Sequence, residues 1–437
     1  MNIIVIGSGG REHAIAWALS KSECVEKIIV VPGNGGTAHE AKCKNISIDE
    51  CTYIHGNENP FVQIAKNENC SLAVIGPEDP LADGISDLFW EAGIACVGPK
   101  KKAALLEASK DFAKQFMKKY GVACAESETF TDEKAALAFA KKKGAPLVIK
   151  ADGLAAGKGV IVALTLEEAK NAIHLLMSEK KVGSAGEKIV IEEYLRGTEI
   201  SMLSSVSVTS EKKSSCIKTF LPARDHKRLL DGAKGANTGG MGSVSPLSDV
   251  DDATLLLFQK NIVEPTLRGL KAEDFDYRGF LFFGVMLTKD GPKLLEYNVR
   301  LGDPETQAVL PLCDFDFCKL CEAIADGTLQ DFQLKWKDGF VVAPVMVSGG
   351  YPEAYEKNKK ITIDKNRVHE NVKIFVAGAK EKNGELFTSG GRVLAVSCFG
   401  KNFEEAWNGA YESINAISFE KAFYRRDIGL KGAAESN

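Results

Sequence analysis

A loop rich in small residues, Lys150–Val160, begins with one lysine and carries a second, Lys158, near its end. Glycines let the backbone approach an oxyanion closely and lysines supply positive charge, so this loop could bind phosphate. It is not a Walker loop, because only three residues separate Gly153 from Gly157 and Gly159 stands where that motif has serine or threonine. The pattern favours a hairpin flap that closes over nucleotide phosphates; a surface hairpin without a ligand is the alternative.

An acid and an amide two positions apart, Glu296 and Asn298, end a predicted strand. Alternate side chains of a strand point to the same face, so these two should project together while Tyr297 points away. A carboxylate and a neutral amide oxygen suit Mg²⁺ that bridges phosphates, and Arg300 on the same face could hold a transferring phosphoryl group. The tight loop Leu301–Glu305 would fix these groups; a polar strand end capped by a turn is the simpler alternative.

Two further segments carry polar groups that could position substrates. Ile189–Glu199 runs from an apolar strand into a connection whose backbone could meet an adenine edge, with a carboxylate beyond it for ribose hydroxyls. Asp225–Lys227 and Asn237–Gly242 lie in what the sequence predicts to be a long polar loop up to about Val244, and such loops are usually functional. An ordinary acidic strand end and a disordered excursion are the respective alternatives.

The turn after the first predicted strand, Gly7–His13, lies at the start of a predicted helix and is a ready anion site. A dinucleotide fingerprint would have glycine where Glu12 stands and an acidic residue ending the second strand, where the chain has Val31 and then proline. Both departures argue against NAD. A substrate phosphate with Arg11 as partner stays open, and Gly76–Pro80 should lie near the same edge of the sheet.

The composition excludes several classes of protein. Of 437 residues 45% are hydrophobic and 26% charged, and the formal net charge is −4, so no basic surface for nucleic acid is expected. No apolar run approaches the roughly 20 residues that span a bilayer, and the N-terminus shows no signal peptide. The cysteine count, 11, is odd, which favours free thiols in a cytoplasmic protein.

Residues 1–102 alternate apolar strands with amphipathic helices. This alternation predicts an N-terminal α/β domain built on a doubly wound parallel sheet. The predicted strands are Ile3–Ile6, Lys27–Val31 and Leu72–Ile75, and the predicted helices are Arg11–Ser20, Phe61–Glu68 and Leu81–Trp90.

The pattern changes over residues 103–335, which form a predicted second domain, and residues 336–437 form a third. Two helices open the second domain, and two strands joined by a Lys-Asp-Gly turn, a hairpin signature, close it. The predicted elements are helices Ala103–Ala108 and Lys110–Tyr120 and strands Leu147–Lys150, Val160–Leu164, Lys188–Glu193, Glu199–Val208, Cys216–Leu221, Phe280–Thr288, Lys293–Val299, Val341–Val347, Lys373–Val376 and Arg392–Ser397.

Taken in order, these motifs resemble those of the phosphoribosylamine–glycine ligase (glycinamide ribonucleotide synthetase) family of the ATP-grasp superfamily. The resemblance is carried by GSGGREHA, GPEDPLADG, VIKADGLAAGKGV, DHKR, NTGGMG, RLGDPETQ, GGRVLAV and FYRRDIG. Several of these alone would indicate only the superfamily, but their combination is specific and covers essentially the whole chain.

The resemblance implies a multidomain α/β and α+β protein: the N-terminal sheet domain, a central ATP-grasp domain with a mobile lid subdomain at about 122–192, and a small C-terminal mixed α/β domain. It implies ATP and Mg²⁺ (or Mn²⁺) as cofactors. The residues assigned to the nucleotide are Lys110, Lys150, Gly153, Gly157, Lys158, Glu192, Leu195 and Glu199, and those assigned to the metal are Glu296 and Asn298. The residues assigned to substrates are Gly9, Arg11, Glu78, Asp225, Lys227, Asn237, Gly239, Gly240 and Arg300, and the catalytic assignments are Arg300, Lys158 and Asp303. A third acidic metal ligand, found in many relatives on the preceding strand, has no match in Phe280–Leu287.

The activity that the resemblance implies is ATP-dependent ligation of glycine to 5-phosphoribosylamine through glycyl phosphate, a step of de novo purine biosynthesis. A cytoplasmic monomer or weak homodimer is expected, without nucleic-acid or membrane partners and without a further enzyme after FYRRDIG. Three alternatives stay open: an ATP-grasp ligase or carboxylase for another carboxylate, an NAD-dependent oxidoreductase, and a non-catalytic ATP-binding module.

Overall fold

The structure is a computed structural model of the chain, and it describes residues 1–48, 59–154, 159–179, 181, 183–209 and 214–430. Two predicted site residues, Gly157 and Lys158, lie outside this part of the chain. Within it, no helix is long and apolar enough to cross a membrane, and ten cysteines are free thiols.

The N-terminal residues build a parallel sheet with the strand order β3-β2-β1-β4-β5. The order reverses between β1 and β4, so a crevice opens at the carboxyl ends of these two strands. The predicted doubly wound sheet is confirmed, and two short edge strands, β3 and β5, extend it. The elements are β1 (Asn2–Gly7), α1 (Gly10–Ser20), β2 (Lys27–Pro32), β3 (Cys43–Asn45), α2 (Pro60–Asn67), β4 (Cys70–Ile75), α3 (Glu78–Asp83), α4 (Ile85–Glu91) and β5 (Ala95–Val97).

The predicted helix Leu81–Trp90 is wrong as a single element, because the structure divides it into α3 and α4. Gly84 lies between them in the left-handed region, with φ +96°, which ends a right-handed helix. α3 begins at Glu78, directly after β4, and this places the Glu78 side chain at the carboxyl edge of the sheet.

Two helices, α5 (Lys101–Ala108) and α6 (Lys110–Tyr120), lead into a small antiparallel sheet that carries the predicted lid residues. Its strand order is β6-β9-β7-β8, and its buried side chains form a separate apolar core that includes Ile149 and Ile191. The flap connects β7 to β8. The elements are β6 (Ser127–Phe130), α7 (Glu133–Lys143), β7 (Leu147–Ala151), β8 (Val160–Ala163), α8 (Leu166–Met177) and β9 (Ile189–Glu193).

A second antiparallel sheet, β11-β10-β16-β17, ends at the acid–amide pair. The predicted hairpin is confirmed as β16 and β17, and Gly291 at its turn has φ +103°. The strands are β10 (Thr198–Thr209), β11 (Ser214–Thr219), β16 (Tyr277–Thr288) and β17 (Gly291–Asn298). The helices around it are α9 (Asp252–Phe258) and α10 (Glu264–Ala272), joined by the π-helical turn Gln259–Val263, and then α11 (Glu305–Val309) and α12 (Phe317–Asp326).

The predicted long polar loop up to about Val244 is wrong. It contains four short strands: β12 (Arg224–Asp225), β13 (Arg228–Leu230), β14 (Lys234–Asn237) and β15 (Gly242–Ser245). β13 and β14 pair with each other, whereas β12 and β15 join a sheet with C-terminal strands in the order β12-β15-β18-β23-β20. Pairing satisfies the backbone groups of a segment that is too polar to show a strand pattern.

The C-terminal residues complete that antiparallel sheet and build a second one, β21-β22-β19-β24. The elements are β18 (Phe340–Val347), β19 (Lys360–Ile363), β20 (Val372–Val376), β21 (Ala379–Lys382), β22 (Glu385–Thr388), β23 (Arg392–Gly400), α13 (Phe403–Ile414) and β24 (Ile417–Ser418). The predicted fold class, a multidomain α/β and α+β protein, is confirmed; the domain boundaries stay predictions.

Candidate active site

A cleft of about 590 Å³ collects side chains from the N-terminal sheet, the lid, β17 and the C-terminal sheet. It brings together the predicted site residues Arg11, Glu78, Lys110, Lys150, Gly153, Glu192, Asp225, Lys227, Gly239, Glu296, Asn298, Arg300 and Asp303. The predicted site residues that are described but do not line it are Gly9, Leu195, Glu199, Asn237 and Gly240.

The acid–amide pair has the alternation that the sequence predicts. Glu296, Tyr297 and Asn298 all border the cleft, but the Tyr297 side chain is buried, with its hydroxyl 2.6 Å from that of Thr266. β16, described over its whole length, places Gly284 opposite Glu296 and Phe282 opposite Asn298, so it supplies no third carboxylate. Two side chains, Glu296 and Asn298, are therefore what β16 and β17 offer a cation.

The electrostatics of Glu296 fit a divalent cation bound with phosphates. Burial opposes ionisation, but Lys227, Lys150 and Lys110 together hold the pKa of the Glu296 carboxyl below its ordinary value. One ionised carboxylate beside the neutral oxygen of Asn298 is a hard donor pair, and Mg²⁺ bound in this way takes its other ligands from phosphates and water.

The lid meets the cleft through a buried ion triplet. The Glu192 carboxylate lies 2.9 Å from Lys150 and 2.9 Å from Lys114. Burial works against the charge, yet the two lysines keep the pKa of Glu192 below its usual range. The sequence analysis missed Lys114, although its spacing from Lys110 on α6 places both lysines on one face of that helix.

The base of the flap is anchored to the start of α6. Lys110 donates a 2.8 Å hydrogen bond to the carbonyl of Gly153, and Asp152 accepts hydrogen bonds from the Ser109 hydroxyl at 3.0 Å and the Asp111 amide at 3.1 Å. Burial lowers the pKa of Lys110. These contacts fix where the flap leaves the sheet.

Arg300 is held on several sides. Its Nε donates to Glu78 at 3.1 Å, Nη1 to the Leu301 carbonyl at 3.3 Å, and Nη2 to Asn298 at 3.1 Å, while Nη2 also lies 2.9 Å from Glu107. A guanidinium has five N–H groups, so within the described chain these partners leave one, on Nη1, for a ligand. These contacts therefore restrict the Arg300 side chain to one orientation.

Glu107 is a cleft residue that the sequence analysis missed, since an acidic residue in α5 carries no pattern of its own. Besides Arg300, it accepts a 2.7 Å hydrogen bond from the Val299 amide. Burial raises the pKa of the Glu107 carboxyl to about 7, although Arg300 favours its ionised form.

The crevice between β1 and β4 is filled by Glu12. Its carboxylate accepts a 2.5 Å hydrogen bond from the Gly9 amide and lies 2.6 Å from Nε of Arg11. A Cβ at Gly7 or Gly76 would come within 2.5 Å of the Glu12 side chain, so the glycines make room for this carboxylate. An internal anion thus takes the place that a dinucleotide phosphate would need.

The far end of the cleft joins the central and C-terminal sheets. Arg392 of β23 lies 3.4 Å from the Asp303 carboxylate and donates to the carbonyls of Gly239 at 2.5 Å and Asp303 at 2.7 Å. Despite burial, Arg392 and then Arg11 hold the pKa of Asp303 below its usual value. The sequence analysis also missed Arg392, for which the only indication was the motif GGRVLAV that contains it.

The predicted residues outside the cleft lining have other surroundings. The Glu199 carboxylate binds the Lys227 ammonium. Leu195 packs in a small apolar cluster with Ala125, Met286 and Leu295. Gly240 packs behind Asp225, and exposed Asn237 accepts a 3.4 Å hydrogen bond from Arg228.

A flap-bearing antiparallel sheet and a second antiparallel sheet that ends in an acid–amide pair enclose one cleft, which is the ATP-grasp arrangement. The crystal structure of biotin carboxylase from Campylobacter jejuni shares this fold, with a TM-score of 0.73 over 96% of this chain and 92% of that chain, at 15% identity. The chain belongs to the phosphoribosylglycinamide synthetase family, whose N domain matches residues 1–107, ATP-grasp (A) domain residues 108–306 and C domain residues 341–431.

Individual relatives match over the full length. The phosphoribosylamine–glycine ligase of Clostridium acetobutylicum is 45% identical over 430 residues, which is 98% of this chain and 99% of that protein. The crystal structure of phosphoribosylamine–glycine ligase from Thermotoga maritima has a TM-score of 0.83 at 36% identity and covers 98% of this chain and 100% of that chain. The trifunctional purine biosynthetic protein adenosine-3 of Gallus gallus is 42% identical over 99% of this chain, which corresponds to 42% of that protein.

Proposed function

We propose that this protein ligates glycine to 5-phosphoribosylamine with ATP, giving glycinamide ribonucleotide, ADP and phosphate in de novo purine biosynthesis. The supporting observation is that the flap base, Lys150 and Gly153, and the acid–amide pair, Glu296 and Asn298, open onto one cleft. Family membership adds the choice of substrates, because the similar proteins of Clostridium acetobutylicum and Thermotoga maritima are named for this ligation.

ATP occupies the lid end of the cleft in this proposal. The nucleotide residues are Lys110, Lys150, Gly153, Gly157 and Lys158 at the phosphates, the backbone of Glu192 and Leu195 at adenine, and Glu199 at the ribose. The apolar cluster around Leu195 supports the adenine assignment, because it lies between the lid connection and β17. Since Glu199 binds Lys227, its carboxylate would be shared between this lysine and the ribose.

Glu296 and Asn298 would hold Mg²⁺ (or Mn²⁺), which when bound neutralises charge on the phosphates. Arg300 supports the same transfer, because its Nη2 is held beside Asn298 and the remaining N–H group, on Nη1, is left for the transferring phosphoryl group. Asp303, Asp225, Lys227, Arg11, Glu78 and the backbone at Gly9, Asn237, Gly239 and Gly240 are the proposed substrate-positioning groups.

The reaction proceeds in two displacements. The glycine carboxylate attacks the γ-phosphorus of ATP and ADP leaves, which gives glycyl phosphate. The amine of phosphoribosylamine then attacks the carbonyl carbon, and phosphate leaves with one oxygen of the original carboxylate. The protein contributes positioning and charge neutralisation, and the flap, closed over the site, would keep water from the acyl phosphate.

The direct test supplies ATP, Mg²⁺ and glycine labelled with ¹⁸O in its carboxylate, with and without phosphoribosylamine. We expect ADP and phosphate in equal amounts only when both substrates are present, and one ¹⁸O atom in each phosphate. Release of ADP that ignores both substrates, or phosphate without label, would contradict the proposal. Replacing glycine by other carboxylates tests the neighbouring possibility of a different ATP-grasp ligase.

We further propose a cytoplasmic enzyme that acts as a monomer or weak homodimer. The free thiols of the described cysteines suit a reducing compartment.

A further inference from the structure

Two cysteine sulfurs lie side by side where the N-terminal sheet meets the central part of the chain, away from the cleft. Cys24 follows α1, and Cys318 lies in the first turn of α12, 294 positions later, yet their Sγ atoms are 3.6 Å apart. Both are free thiols. Cys318 is buried whereas Cys24 is half-buried, so an ion from solvent can reach the pair from the Cys24 side.

A carboxylate and a third sulfur lie beside the two thiols. Glu322 comes one helical turn after Cys318 on α12, so both project from the same side of that helix. One ligand atom from each of Cys24, Cys318 and Glu322 lies within 4.8 Å of the other two. Sδ of Met1 is 3.8 Å from Sγ of Cys318. Thiolate sulfur and carboxylate oxygen are both donors that bind zinc in proteins.

The spacing of the two cysteine sulfurs fits a shared cation. Two thiolates on a tetrahedral zinc ion lie about 3.8 Å apart, because each Zn–S bond is about 2.3 Å long. The separation of 3.6 Å is close to this value, so both sulfurs could bind one ion without a shift of the backbone. A disulfide would instead need the two sulfurs to approach to about 2.0 Å.

Hydrogen bonds hold both cysteine segments from outside. Asp316 caps α12 and accepts a 2.9 Å hydrogen bond from the Cys318 amide, and its other oxygen accepts a 2.6 Å hydrogen bond from the Ser22 hydroxyl. The Ser22 oxygen lies 3.1 Å from Sγ of Cys24. One carboxylate thus fixes α12 and the Cys24 segment relative to each other, as the outer shell of a metal site orients its ligands.

The charge around the sulfurs favours a cation. Burial, and then Cys24, raise the pKa of the Cys318 thiol above its ordinary value, and the carboxylates of Glu322 and Asp316 act in the same direction. A cation at the sulfurs would offset this negative charge. Glu322 also lies 2.7 Å from Lys319, but its side chain is 33% exposed. Because such a surface pair is weak, it does not keep the Glu322 carboxylate from a cation.

We propose that Cys24, Cys318 and Glu322 bind one zinc ion, with water as the fourth ligand. Zn²⁺ displaces one proton from each thiol, so two thiolates and one carboxylate hold the ion. The ion would fasten the segment after α1 to α12, and thereby the N-terminal sheet to the central part of the chain. None of these three residues lines the cleft, so the inference does not depend on the proposed function.

The test titrates Zn²⁺ into the metal-free, full-length protein and compares wild type with Cys24→Ser. Cys216→Ser, at a half-buried thiol of β11, is the matched control. We expect one Zn²⁺ per chain in wild type and in Cys216→Ser. In Cys24→Ser the Kd for Zn²⁺ should rise more than about 100-fold, because a direct ligand is lost. In Ser22→Ala, which removes an outer-shell contact, it should rise about 10-fold.

Cobalt binding and thermal unfolding distinguish a metal ligand from a merely structural cysteine. Co²⁺ bound to wild type and to Cys216→Ser should give the charge-transfer absorption of cobalt–thiolate bonds, and Cys24→Ser should lose it. Zn²⁺ should raise the Tm of wild type, because it binds the folded chain, but not that of Cys24→Ser. Glu322→Gln keeps both thiols and serves if Cys24→Ser does not fold; its Kd for Zn²⁺ should rise at least about 10-fold.

Equal affinity for Zn²⁺ in wild type, Cys24→Ser and Glu322→Gln would overturn the site. So would binding of Cu⁺ but not Zn²⁺, because two thiolates with the Met1 thioether suit the softer ion. A Cys24–Cys318 disulfide in the purified protein, seen as an intact mass lower by two hydrogens, would replace the metal site with a redox pair. Wild type that binds no metal and keeps both thiols reduced would also contradict the proposal.

Discussion

Glu192 and Asp225 are buried carboxyl groups of the same cleft, but their surroundings are opposite. Glu192 lies at ion-pair distance, 2.9 Å, from each of two lysines, Lys150 and Lys114, whereas Asp225 has no ion-pair partner among the described residues and its buried Oδ1 accepts no hydrogen bond there. A buried charge is stable only when it is paired. The buried charges of the lid end are therefore paired inside the protein, whereas the Asp225 carboxyl at the far end is not.

This difference explains how the cleft can be rigid at its lid end and still bind a ligand at its far end. The paired lid end links β9, β7 and α6 through the Glu192, Lys150 and Lys114 side chains. At the far end, where Asp225 and Glu305 both line the cleft, the Asp225 carboxyl has no such pairing among the described residues. Glu296 lies between these regions, since Lys150 and Lys227 both act on its pKa.

The largest effect on turnover is expected at Glu296, which lies between the two ends of the cleft. Glu296→Ala removes the ionised ligand of the cation, and turnover should fall on the order of 10³-fold because charge on the transferring phosphoryl group loses its support. Steady-state ADP release measures this, with Glu385→Ala on exposed β22 as the control. Normal turnover in a folded Glu296→Ala protein would remove the metal assignment.

The substitution Glu192→Gln removes the carboxylate charge that pairs with two lysines at the lid end. Two buried lysines lose their shared carboxylate, so the free energy of unfolding should fall by about 3 kcal/mol, the scale of breaking one side of a buried ion pair. The control is Glu193→Gln, the next residue of β9, whose half-buried side chain lies 3.3 Å from Lys293; there we expect less than about 1 kcal/mol. Denaturant unfolding compares the two. Equal losses in both variants, or a similar loss in Asp225→Asn, would erase the contrast between the ends.

Glu107→Gln gives the smallest and most pH-dependent effect. The pKa of Glu107 is raised to about 7 in the fold, so the folded chain binds this proton more tightly than the unfolded chain. Its contribution to stability is fully present below the ordinary carboxyl pKa and is lost as pH rises toward 7. Wild type should therefore lose stability relative to Glu107→Gln between about pH 5 and 7.

Denaturant unfolding at several pH values between about 5 and 7 tests the predicted direction of this pH dependence. The control, Glu91→Gln at the exposed end of α4, should follow wild type. A wild-type curve parallel to that of Glu107→Gln would show that Glu107 does not hold a proton in this range.

Local patterns in the sequence were sufficient for much of the fold. Apolar runs predicted β1, β2 and β4, and a Lys-Asp-Gly turn predicted the β16–β17 hairpin, because side-chain alternation and turn chemistry act over a few residues. The helix break at Gly84 was missed, since a left-handed glycine is a property of backbone geometry that the amphipathic pattern does not reveal. The strands of the polar segment were missed because they are short and polar, and only β15 pairs with a distant strand, β18.

The sequence by itself determined which groups could hold a nucleotide: the lysines of the flap and the side-by-side projection of Glu296 and Asn298. Only the tertiary structure decided which buried charges are paired. Glu107 meets the Val299 amide across 192 positions of the chain, and Arg392 reaches Asp303 from the C-terminal sheet. Neutralisation of a buried charge depends on distances of a few ångströms between residues remote in sequence, and only the folded chain sets those distances.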